Sequence, residues 1–168
     1  ARPYGTLARQ RDGRPLSKGV PVDKVQWSDD LSVGVPLIDQ QHQMLIGRIN
    51  ELSEAIRNYQ GGGEIAKTLD FLMDYTNFHF GTEERHMRAL DYPGLDEHLE
   101  KHKEYKETLK NLGRDFEEEG ATNDLADSID RLLGHWFVEH IKNVDQKLGD
   151  FLEKKGVVLE AEEEVSGT

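Results

Sequence analysis

Cysteine is absent from the 168 residues, which excludes disulfides, thiolate metal sites and thiolate-held iron–sulfur clusters. No apolar run approaches the length of a membrane span, and the N-terminus lacks the apolar segment of a signal peptide. A reducing compartment suits such a chain, and the cytoplasm is the expected location. Basic residues are scarce as well: Lys and Arg number 21 against 33 Asp and Glu, for a net charge of -12. That balance argues against nucleic acid or an anionic membrane as a partner. Proline is limited to five residues, three of which fall in the first 24. That opening stretch, 1–24, has no sustained apolar period and reads as an irregular, net basic arm with six Lys/Arg against two Asp.

What remains is enough for one compact domain, since 36% of the chain is hydrophobic. Four stripes recur at helical spacing. The first runs through Ile38, His42, Leu45, Ile49, Leu52 and Ile56 and stops at Gly61-Gly62-Gly63. A second, through Ile65, Leu69, Leu72, Thr76, His79, Glu83 and Leu90, ends at Asp91-Tyr92-Pro93-Gly94. The third joins Leu95, His98, His102, Tyr105, Leu109, Leu112 and Phe116 and closes at Gly120. Leu125, Ile129, Leu132, Trp136, His140, Val144, Leu148 and Phe151 form the fourth, which ends near Gly156. Connections this short make neighbouring helices antiparallel, so the expected fold is all-α, an up-down-up-down four-helix bundle over 25–154. Residues 155–168 read as an acidic tail, and the glutamate blocks at Glu117–Glu119 and Glu162–Glu164 as solvated surface.

The stripes carry polar groups that a core does not need. His42 stands alone on the first; His79 and Glu83 share the second; His98 and His102 share the third; His140 and Asp145 share the fourth. Pairs four residues apart lie on one helix face. A lone histidine on an apolar stripe is ordinarily a core residue, but five imidazoles and two carboxylates are another matter. Each buried polar group without a partner costs roughly 1–3 kcal/mol, set against about 5–15 kcal/mol of total stability. Metal ions resolve that conflict, and seven donors suit two ions better than one. Antiparallel topology brings all four clusters to one end of the bundle. His86 and His135 fall outside the constellation, and Glu84 lies about 100° round the helix from Glu83, at the surface or behind the ligands. Asp145 follows His140 by five residues, about 140° away on a regular helix, so either its carboxylate reaches round or a π-type bulge realigns it. Imidazole and carboxylate suit iron, but also zinc, copper or nickel.

The segments WSDDLSVGVPLIDQQHQMLIGRINEL, HFGTEERHM, HLEKHKEY and HWFVEHIKNVD together resemble the bacterial hemerythrins. The resemblance covers about residues 25–154. It implies a non-heme di-iron centre with an oxo or hydroxo bridge. His98, His102 and His140 would hold one iron, His42 and His79 the other, and Glu83 and Asp145 would join the two. The two-histidine iron then keeps an open position for dioxygen. Reversible dioxygen binding for storage, delivery or sensing is the implied function, with a signalling or oxygen-consuming protein as partner. Catalysis is not expected beyond weak oxidase or peroxidase activity. The alternative is a di-iron oxidase or peroxidase, but such sites favour four carboxylates with Glu-x-x-His motifs, whereas five histidines and two carboxylates favour holding oxygen over splitting it. Phe137 departs from the family, which usually has leucine three residues before the fourth-helix histidine. It is expected to line the oxygen-binding side.

Overall fold

The computed structural model describes residues 23–162, and all but the last two residues of the basic arm fall outside them. Four long helices account for most of this span: α1 (Pro36–Arg57), α2 (Gly62–Ala89), α3 (Leu95–Glu119), and a fourth rod that changes pitch along its length. That rod is built of α4 (Asn123–Ile129), a π-helical stretch (Asp130–His135), α5 (Trp136–His140), a second π-helical stretch (Ile141–Asp145) and α6 (Gln146–Lys154). No strand occurs among the described residues. Helix α1 packs on α2 and on the fourth rod, and α3 closes the bundle between α2 and that rod.

Local chemistry sets the ends. Pro36 occupies the first turn of α1, where its missing N–H is harmless. Thr122 caps the fourth rod by accepting from the Leu125 amide at 3.1 Å. Gly120 ends α3 with φ at +76°, a left-handed conformation that glycine adopts without strain. Three of the four apolar stripes lie where the spacing puts them, with Leu45, Ile49, Leu72, Leu109 and their neighbours in the core. The fourth does not. Leu132 is exposed and Leu133 is buried instead, because the π-helical stretch at 130–135 adds a residue to the turn and rotates the register.

Two segments brace the end of the bundle where the histidines lie. The loop before α1 is fixed by Asp39, whose carboxylate accepts from the Val33 amide at 2.8 Å and from the Ser32 hydroxyl. This loop passes so close to α6 that a Cβ on Gly149 would stand 2.0 Å from the Val33 carbonyl oxygen. After Gly156 the chain turns back along α1: the Leu37 amide donates to the Leu159 carbonyl at 3.0 Å. Gln40 and the Glu162 backbone then exchange two hydrogen bonds of 2.8 Å. The described part of the acidic tail is therefore pinned to the helix that carries His42. At the far end, Arg57 joins α1 to the fourth rod through Asp127 and the buried Asp130, both at 2.7 Å.

Candidate metal centre

All seven predicted donors converge inside the bundle and all are buried. Two groups form, each with its ligand atoms within 4.8 Å of one another: Glu83, His98, His102, His140 and Asp145; and His42, His79, Glu83 and Asp145. Both carboxylates belong to both groups. Each of the five imidazoles turns its Nε2 inward, and none of these atoms has a hydrogen-bond partner.

The carboxylates divide their oxygens between the groups. Glu83 Oε1 lies 3.6 Å from His42 Nε2 and 3.3 Å from His79 Nε2. Its Oε2 lies 3.3 Å from His98 Nε2 and 3.0 Å from His102 Nε2. Asp145 repeats the pattern: Oδ2 is 3.0 Å from His42, while Oδ1 is 3.0 Å from His98 and 3.1 Å from His140. Asp145 reaches this position because the fourth rod is π-helical from Ile141 to Asp145. With the wider turn, a residue five along the chain comes back to the same face. Of the two routes open from the sequence, the structure takes the bulge.

Two further residues hold the rings. His79 Nδ1 donates to Gln41 Oε1 at 2.7 Å, and His102 Nδ1 donates to Glu84 Oε1 at 2.9 Å. Each bond keeps the proton on Nδ1 and leaves the Nε2 lone pair facing the centre. Glu84 thus lies behind the His102 ring, one of its two expected places. Gln41 was not foreseen; its only signal in the sequence is its place next to His42. His86 Nδ1 donates to the Thr82 carbonyl at 2.8 Å, and His135 Nε2 to the Asp23 carbonyl at 2.9 Å, so neither joins the cluster.

Aromatic rings wall the centre. Phe80 stacks on His102 at 3.7 Å with planes 4° apart, and Trp136 on His140 at 4.8 Å and 11°. Phe137 is fully buried and meets His42 and His79 edge-on at 5.3 and 6.3 Å. The two sides differ in access. The two-histidine side lies behind Phe137, while His140 on the other side borders a surface cleft of about 160 Å³ beside Trp136 and Asn143.

Packing so many donors together shifts their protons. Burial opposes charge on His42 and His98, but the close approach of the Asp145 and Glu83 carboxylates outweighs it. They hold His42 up at about 9 and His98 at about 10. Burial dominates at His79 and draws it down to about 4. Burial also works against ionisation of Glu83 and Asp145, yet the surrounding imidazoles keep both well below the usual carboxylate range.

Buried, mutually facing Nε2 and carboxylate atoms without partners fit multivalent cations and little else. The fold and this cluster define a helical-bundle protein with a histidine- and carboxylate-rich metal-binding centre. The family described as hemerythrin HHE cation binding domain matches residues 33–152. Similar proteins include a bacteriohemerythrin of Stenotrophomonas maltophilia, 32% identical over 124 residues, which span 74% of this chain and 78% of that protein. A bacteriohemerythrin of Pseudomonas aeruginosa is 32% identical over 119 residues, covering 71% of this chain and 75% of the relative. A myohemerythrin of Theromyzon tessulatum is 29% identical over 122 residues, with 73% and 88% covered. The chain belongs to the hemerythrin family, whose domain implies non-heme iron. No helix among the described residues is long and apolar enough to cross a membrane.

Proposed function

We propose that the chain binds dioxygen reversibly at a centre of two non-heme irons. His98, His102 and His140 would hold one ion and His42 and His79 the other, with Glu83, Asp145 and an oxo or hydroxo bridge between them. The observation that carries this reading is the division of the carboxylate oxygens, one of each pair facing the three-histidine group and one the two-histidine group. When bound, the iron pair supplies the two electrons that dioxygen takes up and returns.

The side chains do the rest. Two histidines on one side against three on the other leave one donor fewer there, and an open position for a ligand. Phe137 and Phe80 exclude water from that side, which slows loss of the bound oxygen. Gln41 and Glu84 hold the imidazoles of His79 and His102 so that a change of oxidation state does not require them to reorient. With five imidazoles and two carboxylates, the donor set favours retention of oxygen over its cleavage, so we assign no enzymatic activity. The absence of cysteine supports a place in the cytoplasm, with bound oxygen passed to an oxygen-consuming partner or read by a signalling one.

The visible spectrum of the reduced, iron-loaded protein before and after air tests this reading. A band that appears with oxygen and disappears under vacuum is the expected result. Rapid bleaching would mark a di-iron oxidase or peroxidase instead, and a colourless protein with full metal content would mark another metal.

A further inference from the structure

Tyr105 lies on α3 one turn beyond His102. Its side chain is 1% exposed, and its hydroxyl is buried with no hydrogen-bond partner. The ring meets Trp136 at 4.8 Å, Phe80 at 5.7 Å and Phe137 at 5.9 Å. These are the three rings that pack directly on the histidines of the centre. Tyr105 completes that aromatic layer, and long side chains on a helix lean toward its N-terminus, here toward the level of His102.

A buried hydroxyl without a partner is unfavourable, and a phenylalanine would fill the same space without that cost. Phe80 and Phe137 offer no acceptor, and the Trp136 indole only a donor. A trapped water needs two to four polar partners, which rings of this kind do not provide. Burial also pushes the phenol's pKa up, so the group keeps its proton and is available as a donor. The partner that would satisfy it is one that arrives with the ligand.

We propose that Tyr105 is a ligand-positioning residue: its hydroxyl donates a hydrogen bond to a small molecule with an acceptor atom, dioxygen or azide, held on the two-histidine side of the centre behind Phe137, the ring that Tyr105 meets at 5.9 Å. This rests on the oxygen-binding reading above and adds to it a specific source of affinity. The bond forms only after the ligand has entered, so it slows release and leaves entry unchanged.

The test compares the iron-loaded wild type with Tyr105→Phe, using dioxygen on the reduced proteins and azide on the oxidised ones, followed by stopped flow. The thermal midpoint of the metal-free proteins is a second readout. The expected result is affinity lower by about fivefold to tenfold for both ligands, the size of one hydrogen bond. The whole change should fall in the dissociation rate, and the metal-free midpoint should rise because the orphaned hydroxyl is gone. Equal affinities in the two proteins would overturn the inference while leaving oxygen binding intact. A lower metal-free midpoint in the variant would also overturn it, since the hydroxyl would then have a partner already. If the wild type takes up neither ligand, the oxygen-binding reading itself fails and this inference with it.

Discussion

Phe137→Leu probes the side of the centre where oxygen is proposed to bind. The ring is fully buried and touches His42 and His79 edge-on. Such aromatic contacts are worth roughly 0.5–1.5 kcal/mol each beyond burial. Opening a path to the two-histidine side requires the ring to swing, which breaks both contacts and adds roughly 1–3 kcal/mol to the entry barrier. Leucine lacks them, so oxygen association should rise between about fivefold and a hundredfold. Water enters by the same path, and autoxidation should quicken in the same direction. Leucine forfeits the same two contacts in the folded state, so stability should fall by about 1–3 kcal/mol, or several degrees in thermal midpoint. Iron content should stay at the wild-type value, because no ligand atom is altered. Stopped-flow oxygen mixing, the decay of the oxygenated spectrum in air, and metal analysis measure the three quantities. Unchanged rates with a lower midpoint would refute the reasoning and leave Phe137 as packing against α1 and α2.

Other substitutions divide the site further. His42→Ala should weaken the two-histidine ion while the other stays, whereas Glu83→Ala should lose both, because its oxygens face both groups; two irons retained in Glu83→Ala would sink the bridging assignment. Metal-free protein should be most stable near about pH 6.5 and lose stability on either side of it. The raised pKa values of His42 and His98 contribute stability that is full below about 6.5 and lost as pH climbs through about 9 to 10. The lowered pKa of His79 removes stability as pH falls from about 6.5 toward 4, and the depressed carboxylates Glu83 and Asp145 remove more below that. Iron should abolish the alkaline limb, since bound imidazoles carry no proton on Nε2, and thermal melts across pH with and without metal would show a retained limb if this is wrong. Gly149→Ala should destabilise by about 1–3 kcal/mol through collision with the Val33 carbonyl, and an unaltered midpoint would mean that the loop is not seated as described.

The bundle and its buried cluster of histidines and carboxylates were readable in advance for physical reasons. Apolar residues at helical spacing must share a face, and glycine or proline at the ends must stop the run, so the first three helices followed from pattern alone. The five histidines and two carboxylates stood out because an apolar stripe tolerates them only if something satisfies them. The fourth rod was harder. Its stripe was expected to include Leu132, but Leu133 is the buried residue, since a π-helical turn depends on which hydrogen bonds the backbone selects and leaves no period in the sequence. Gln41 and Glu84 show another limit. Their partners lie 38 and 18 residues away, and no local pattern identifies a side chain that acts across a helix interface. The return of the tail along α1 is non-local in the same way, made by backbone groups near Leu159 and Glu162.

The two anchors also differ in charge, which bears on how the centre could divide its work. Gln41 is neutral, so its bond to His79 fixes the ring and adds little electron density. Glu84 is a carboxylate, and a charged acceptor on Nδ1 makes the His102 imidazole a stronger donor at Nε2. His102 belongs to the three-histidine group, which already has more donors. That side is therefore the better suited to an ion that stays fully coordinated and holds a higher charge. The two-histidine side has the neutral anchor, fewer donors and the Phe137 wall, the conditions that suit an ion with a vacancy for a ligand. Asp145 connects the sides only because the fourth rod widens at Ile141–Asp145. Restoring regular α-helical pitch there would rotate its carboxylate out of both groups at once. The π turn thus lies at the junction of fold and function: it disturbs a regular helix locally and in return brings the second shared carboxylate to the centre.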